Sequence, residues 1–232
     1  MLVVAADALG VEPSAIRHMQ TSTEKIPNTS ATAASSGSDL NGAAVSEACE
    51  LIRERMRPVA AEMLGGVPEQ SVVFEGGQCR SGSKAIAFSQ VSNLCWVRQI
   101  SLCSTGYYRT PGIKYDAAVG QGRPFFYFAS GRCVSEVEVN GLTGEYRVVR
   151  VDILHDVGDS LVPTIDIGQV EGGYVQGAGW KTTEELVWDD AGRLRTHAPS
   201  TYKIPLASDR PRSFNVKLAD WSENREMPLK RS

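Results

Sequence analysis

The sequence predicts an α+β fold, and three observations carry that reading. Apolar residues recur at helical spacing from Leu40 through Ala44, Ala48, Leu51, Ile52, Val59 and Met63, with Glu and Arg between them. A second helical segment, residues 163–186 (PTIDIGQVEGGYVQGAGWKTTEEL), is apolar at Ile165, Ile167, Val170, Tyr174, Val175 and Trp180. Around these lie runs of strand character, two of them joined by the hairpin-turn chemistry of residues 140–144 (NGLTG). Strands interrupted by two substantial helices form the α+β pattern.

In chain order, residues 2–9 are apolar and Ala-rich and stop at Gly10, as a helix tail would. A chain that opens inside a helix reads as cut from something longer. Residues 16–21 read as a short strand feeding the small-residue run Ala33-Ala34-Ser35-Ser36-Gly37-Ser38. Ser36 and Asp39 make an [ST]-x-x-[DE] pair that starts a helix, and Gly65-Gly66 ends it. Residues 67–99 show a weak pattern and are expected to form a surface loop and one short helix. The runs 99–107, 125–140 and 146–156 are expected strands, and Glu136 and Glu138 alternating with Val137 and Val139 mark a half-exposed one. Further strands are expected at 184–188, 202–204 and 214–218.

The chain has 232 residues, enough for a large core, with 42% hydrophobic and 22% charged residues and a net charge of -3. That balance, with no Lys/Arg run, argues against a nucleic-acid surface. No apolar run reaches the length of a membrane span, and the first residues lack the basic leader of a signal peptide. Cys49, Cys79, Cys95, Cys103 and Cys133 are scattered, with no spacing for zinc or an iron–sulfur cluster, and read as free thiols of a reducing cytoplasm. His18, His155 and His197 show no metal-ligand spacing. Residues 77–84 (GQCRSGSK) fall one residue short of a P-loop, because Ser83 separates Gly82 from Lys84 and Ala85 follows. Asp152, Asp156, Asp159 and Asp166 read as a solvated acidic loop.

Two stretches carry chemistry. The small-residue run leaves backbone N–H groups and hydroxyls unshielded at a helix start, which suits an anion such as phosphate. An ordinary capped helix behind a Ser-rich loop satisfies the same pattern. In residues 163–186, glycines at 168, 172, 173, 177 and 179 each cost a helix stability, unless backbone must lie against backbone or ligand. Gln169 stands at the start of that segment and offers a donor and an acceptor. It reads equally as a ligand contact or as an exposed or capping residue.

Residues 21–42 (TSTEKIPNTSATAASSGSDLNG) and 163–186 together resemble the molybdenum hydroxylase family, in particular the molybdopterin-binding subunits of its bacterial xanthine dehydrogenase branch. Residues 104–112 (STGYYRTPG), 125–156 and 196–205 (THAPSTYKIP) match as well, in the family's order. The resemblance implies a fold of the aldehyde oxidase/xanthine dehydrogenase type, with residues 1–232 an incomplete carboxy-terminal molybdopterin-binding domain. It implies that Ala33 and Ala34 line the molybdenum end, Ala34 nearest the metal and with no side-chain ligand to it. Ser35, Ser36, Gly37 and Ser38 would bond the pterin and phosphate, and Gln169 is the cofactor-contacting glutamine. The family's general-base glutamate, in a V-G-E-P-P motif, would lie beyond Ser232, so no catalytic residue is expected within the chain. FAD and 2Fe-2S centres would sit on partner modules, in a homo-oligomer of heterodimers hydroxylating a purine. A related aldehyde or N-heterocycle hydroxylase, or an inactive truncated product, is the alternative.

Overall fold

The computed structural model describes residues 1–20, 22–24, 32 and 36–221, which divide into two compact units, 1–126 and 127–232. In the first unit, α1 (Leu2–Leu9) ends at Gly10, whose φ of 67° is the left-handed helix terminator the sequence predicts. A Cβ there would strike the Phe74 carbonyl, so Gly10 also permits close approach to the neighbouring strand. A π-helical turn (Gly37–Asn41) leads into α2 (Gly42–Met63), and Gly65 and Gly66, both at positive φ, follow its end as expected.

Residues 67–99 correct the expectation of a surface loop. They form an antiparallel sheet of β1 (Val73–Glu75), β2 (Gln78–Ser81) and β3 (Lys84–Ala87), followed by α3 (Phe88–Val97). The Gly and Ser cluster supplies the hairpin turns, with Gly76, Gly77 and Gly82 at positive φ. Strands of three and four residues are too short to show alternation. The P-loop-like stretch is β2 and its turn, and Lys84 Nζ donates to the Leu64 carbonyl over 2.8 Å. The core joins α2, α3 and this sheet through Met56, Val59, Ala60, Val72, Cys79, Val91 and Cys95. A small hairpin, β4 (Lys114–Asp116) and β5 (Gln121–Arg123), completes the unit.

Residues 16–20 and 99–107 form no strand. For the second segment the reason is visible: its main chain is satisfied by α2. Arg55 donates to the Ser101 and Cys103 carbonyls at 3.2 and 3.0 Å, and Glu47 accepts the Tyr107 N–H at 2.7 Å.

In the second unit β6 (Gly131–Val139) and β7 (Tyr146–His155) form the expected hairpin. Asn140 Oδ1 accepts the Leu142 and Thr143 amides at 2.9 and 3.3 Å to close its turn. After α4 (Pro163–Thr182) the chain returns as β8 (Ser213–Leu218), parallel to β7. The order β6-β7-β8 leaves β7 central, with Val151 and Ile153 buried. Tyr174 of α4 lies 3.0 Å from Ser135 Oγ and packs its ring on Phe214 at 5.2 Å, so α4 covers the face shared by Ser135, Val151 and Phe214.

The other expectations for this unit need revision. β6 is exposed along its whole length, and a register shift between Glu136 and Val137 interrupts the alternation. Residues 184–188 make only an isolated bridge, Trp188 to Leu194, and 202–204 form no strand. The four aspartates do not share a loop. Asp152 lies in β7 bonded to Arg150 and Asn215, whereas Asp166 is buried in the first turn of α4 and accepts the Ser160 hydroxyl.

Candidate functional site

The entrance to α2 holds Ser36, Gly37 and Ser38. The first N–H groups of any helix lack intrahelical acceptors, and this is where those residues sit. Ser36 is the N-cap residue but makes no side-chain cap bond, so the expected reciprocal pairing with Asp39 does not form. Asp39 instead accepts the Leu40 N–H at 2.9 Å and is buried. Among the described residues, a Cβ on Gly37 would meet Thr32 Cγ2, at 3.6 Å. Ala33, Ala34 and Ser35 lie outside the described residues.

The 101–108 segment runs along α2 in the opposite direction and reaches this entrance. Ser101 is held near Arg55 and Tyr107 at Glu47, and Tyr108 feels the charge of Asp39. Gly106 makes the close approach possible, because a Cβ there would fall 1.8 Å from the Ala44 carbonyl oxygen. Burial first, and then the Asp39 charge, push the Tyr108 phenol above its ordinary value.

Gln169 lies in the second unit, exposed on α4. With Gly168, Gly172, Gly173 and Gln176 it lines a cavity of about 720 Å³, closed on its other side by Pro205, Leu206, Ala207 and Arg210. The spacing of Gln169, Gly173 and Gln176 puts them on one helical face, turned away from Tyr174 and the sheet. Of the five glycines only Gly179 is packed, a Cβ there meeting Pro205 at 2.4 Å. At 168, 172, 173 and 177 a Cβ meets nothing within 4 Å among the described residues. The α4 wall is therefore open backbone at Gly168, Gly172 and Gly173 beside the side chains of Gln169, Glu171, Val175 and Gln176, with Glu171 accepting from Arg210 at 2.9 Å.

The sequence reading passed over Gln176, although its seven-residue offset from Gln169 places both on one helical face. Gly106 falls in the matching run 104–112, but nothing in the sequence signalled that it and the Tyr107 N–H meet α2 at Ala44 and Glu47. Among the described residues no group of three or more His, Cys, Asp or Glu could hold a metal ion, and no helix is long and apolar enough to cross a membrane.

A family model, described as the molybdopterin cofactor-binding domain, matches residues 1–211. The xanthine dehydrogenase of Dictyostelium discoideum is 45% identical over 221 residues, which are 94% of this chain and 15% of that protein. The xanthine dehydrogenase/oxidase of Mus musculus is 41% identical over 232 residues, 100% of this chain and 16% of that protein. This chain thus spans 15–16% of the length of these relatives. Among solved structures, quinoline 2-oxidoreductase from Pseudomonas putida 86 superposes with a TM-score of 0.82 at 25% identity, covering 100% of this chain and 28% of that one. CO dehydrogenase from Oligotropha carboxidovorans shares the fold, with a TM-score of 0.81 at 20% identity over 100% of this chain and 28% of that one.

Proposed function

Because the chain belongs to the molybdopterin cofactor-binding domain family, we propose that it is the cofactor-contacting part of a molybdenum hydroxylase acting on a purine, xanthine or hypoxanthine. The observation that carries the purine reading is the 41–45% identity to xanthine dehydrogenases across nearly the whole chain.

The residues present fit such a cofactor. A flat, polar pterin needs directional amides and a wall without protruding side chains. The α4 cavity offers Gln169 and Gln176 beside three glycines, Gly168, Gly172 and Gly173, whose Cβ positions are open. An anionic phosphate needs unshielded N–H donors, and the Gly37–Ser38 entrance to α2 supplies them. When bound, the group supplies the molybdenum centre for oxidation of the substrate carbon. In this reading Ser35, Ser36, Gly37 and Ser38 donate hydrogen bonds to the cofactor, and the Gln169 carboxamide orients it. Ala33 and Ala34 keep the metal end unobstructed by presenting only methyl groups. Residues 1–232 are then part of one carboxy-terminal molybdopterin-binding domain. Electrons leave to 2Fe-2S and FAD partner modules, within a homo-oligomer of heterodimers. A cytoplasmic setting is supported by five free cysteines.

The test is molybdenum and pterin analysis of the purified complete gene product, with turnover measured on xanthine, an aldehyde and an N-heterocycle. Bound molybdenum and pterin with preferential hydroxylation of xanthine is the expected result. Preference for the aldehyde or the N-heterocycle overturns the purine assignment, and absence of pterin overturns the cofactor assignment.

A further inference from the structure

The start of α4 has no side-chain cap. Its N-cap residue is Val162, whose side chain cannot accept a hydrogen bond, and Pro163 fills the first helical position without an N–H. A side-chain bond spans this end instead: Ser160, before the helix, donates its hydroxyl to the carboxylate of Asp166. Asp166 is buried, so its carboxylate depends on protein donors. Ser160 itself follows an anchored turn. Asp156 donates its N–H to the Ser130 carbonyl at 2.8 Å and accepts the Gly158 N–H at 2.9 Å, and Val157 between them is fully buried. The bond therefore clasps the start of α4 to the turn that leaves β7. We propose that Asp166 is a positioning residue for Gln169, held by the Ser160 hydroxyl so that the Gln169 carboxamide keeps its place in the α4 cavity. The proposal rests on the cofactor reading above.

The place of Gln169 on the helix explains the need. It stands three residues past Asp166, and residues so spaced are neighbours on a helix. Beyond Gln169 the helix is anchored by side chains: Glu171 accepts from Arg210 at 2.9 Å, and Tyr174 meets Ser135 Oγ at 3.0 Å and the Phe214 ring. Before Gln169 comes Gly168, and a glycine loosens a turn that already lies near a fraying helix end. A carboxamide that must aim a donor and an acceptor at one ligand needs that turn fixed. The Asp166 charge also suits the positive end of the helix. Neither Ser160 nor Asp166 lines the cavity, so both act through the helix and not on the ligand.

The experiment uses the complete gene product and follows molybdenum and pterin content per chain and the rate of cofactor loss on dialysis. Gln169→Ala should lose cofactor about tenfold faster than the parent, the scale of one hydrogen bond. Ser160→Ala removes the clasp and should also speed the loss, by no more than Gln169→Ala does. The double variant should lose cofactor no faster than Gln169→Ala alone, because the clasp then has no carboxamide to position. Ser160→Thr restores a hydroxyl and should return the loss rate to that of the parent. Additive loss in the double variant is what a merely structural bond would give, and it overturns the proposal, as does an unchanged rate in Ser160→Ala. If Ser160→Ala does not fold, Asp166→Asn takes its place in the cycle. It keeps the shape and offers a neutral acceptor about half as strong, and additive loss there overturns the proposal equally. Gln169→Ala separates the two ideas. If it keeps cofactor as the parent does, the cofactor assignment of Gln169 fails; if it loses cofactor faster while Ser160→Ala does not, only the positioning role fails.

Discussion

The Tyr107 N–H donates to the Glu47 carboxylate across 2.7 Å, joining residues 60 apart in sequence. The bond does what a neighbouring strand would otherwise do. An extended chain must place its backbone polar groups somewhere, and here helix side chains accept and donate in place of a ladder. A run whose composition suits a strand becomes a strap on α2.

Gly106 is the tightest point of that strap. Replacing it with Ala puts a methyl group 1.8 Å from the Ala44 carbonyl oxygen and 2.9 Å from the Ala48 nitrogen. Both obstacles are helix backbone, which cannot rotate aside. Gly106→Ala should therefore destabilise the first unit by about 1–3 kcal/mol, as overpacking does, read as a lower urea midpoint. An unchanged midpoint would mean that the strap lifts off α2 without cost.

The sequence showed the long helices and the main hairpin correctly because each carries its own signal. Helical spacing ran from Leu40 to Met63, Gly10 and Gly65-Gly66 marked helix ends, and Asn140–Gly144 had turn chemistry. Short strands were invisible. β1, β2 and β3 offer three or four residues each, and their turn glycines read as loop composition. Of the site, the α2 entrance and Gln169 were legible as local patterns. The contacts of Gly106 with Ala44 and of the Tyr107 N–H with Glu47 were not, since they exist only through long-range packing.

Thiol reactivity should follow burial. Cys79 is wholly buried, and burial with the adjacent Cys95 pushes its thiol up to about 11. Burial likewise raises Cys49 and Cys95. The thiolate is the reactive form. A thiol reagent at about pH 8 should thus modify Cys103 and Cys133 in the native chain and reach the other three only after denaturation. Rapid native labelling of Cys79 would show that the core between α2, α3 and β2 opens readily.

Asp152 supplies a pH-dependent contact. The Arg150 hydrogen bond, then the Asn215 one, hold its carboxyl below the ordinary aspartate range. A carboxylate whose folded pKa is depressed stabilises the fold above its unfolded pKa, and that contribution is lost as pH falls through the lowered folded value. The window is therefore acidic, beneath the usual aspartate titration. NMR titration should place Asp152 below the ordinary aspartate range, and Arg150→Ala should return it toward the ordinary value. The side chains are exposed, so the melting temperature near neutral pH should barely move. An unaltered Asp152 titration in Arg150→Ala would remove the guanidinium as the cause.

The glycines of α4 separate what this chain needs from what its ligand needs. Among the described residues a Cβ at Gly172 or Gly173 meets nothing within 4 Å, so packing there gives no reason for glycine. In a helix interior, Gly→Ala at such positions should raise the stability of the 232-residue chain by roughly 0.5–1 kcal/mol each. Yet both glycines line the cavity that carries Gln169 and Gln176. In the complete gene product the added methyl groups would stand where the pterin is proposed to lie. Gly172→Ala and Gly173→Ala should there lower molybdenum and pterin content although the helix itself is firmer. Opposite signs in the two measurements are the expected outcome, with urea melts reading the first and metal and pterin analysis the second. Variants that gain stability and keep full cofactor would leave the α4 cavity outside the cofactor site and return Gln169 to an ordinary exposed residue.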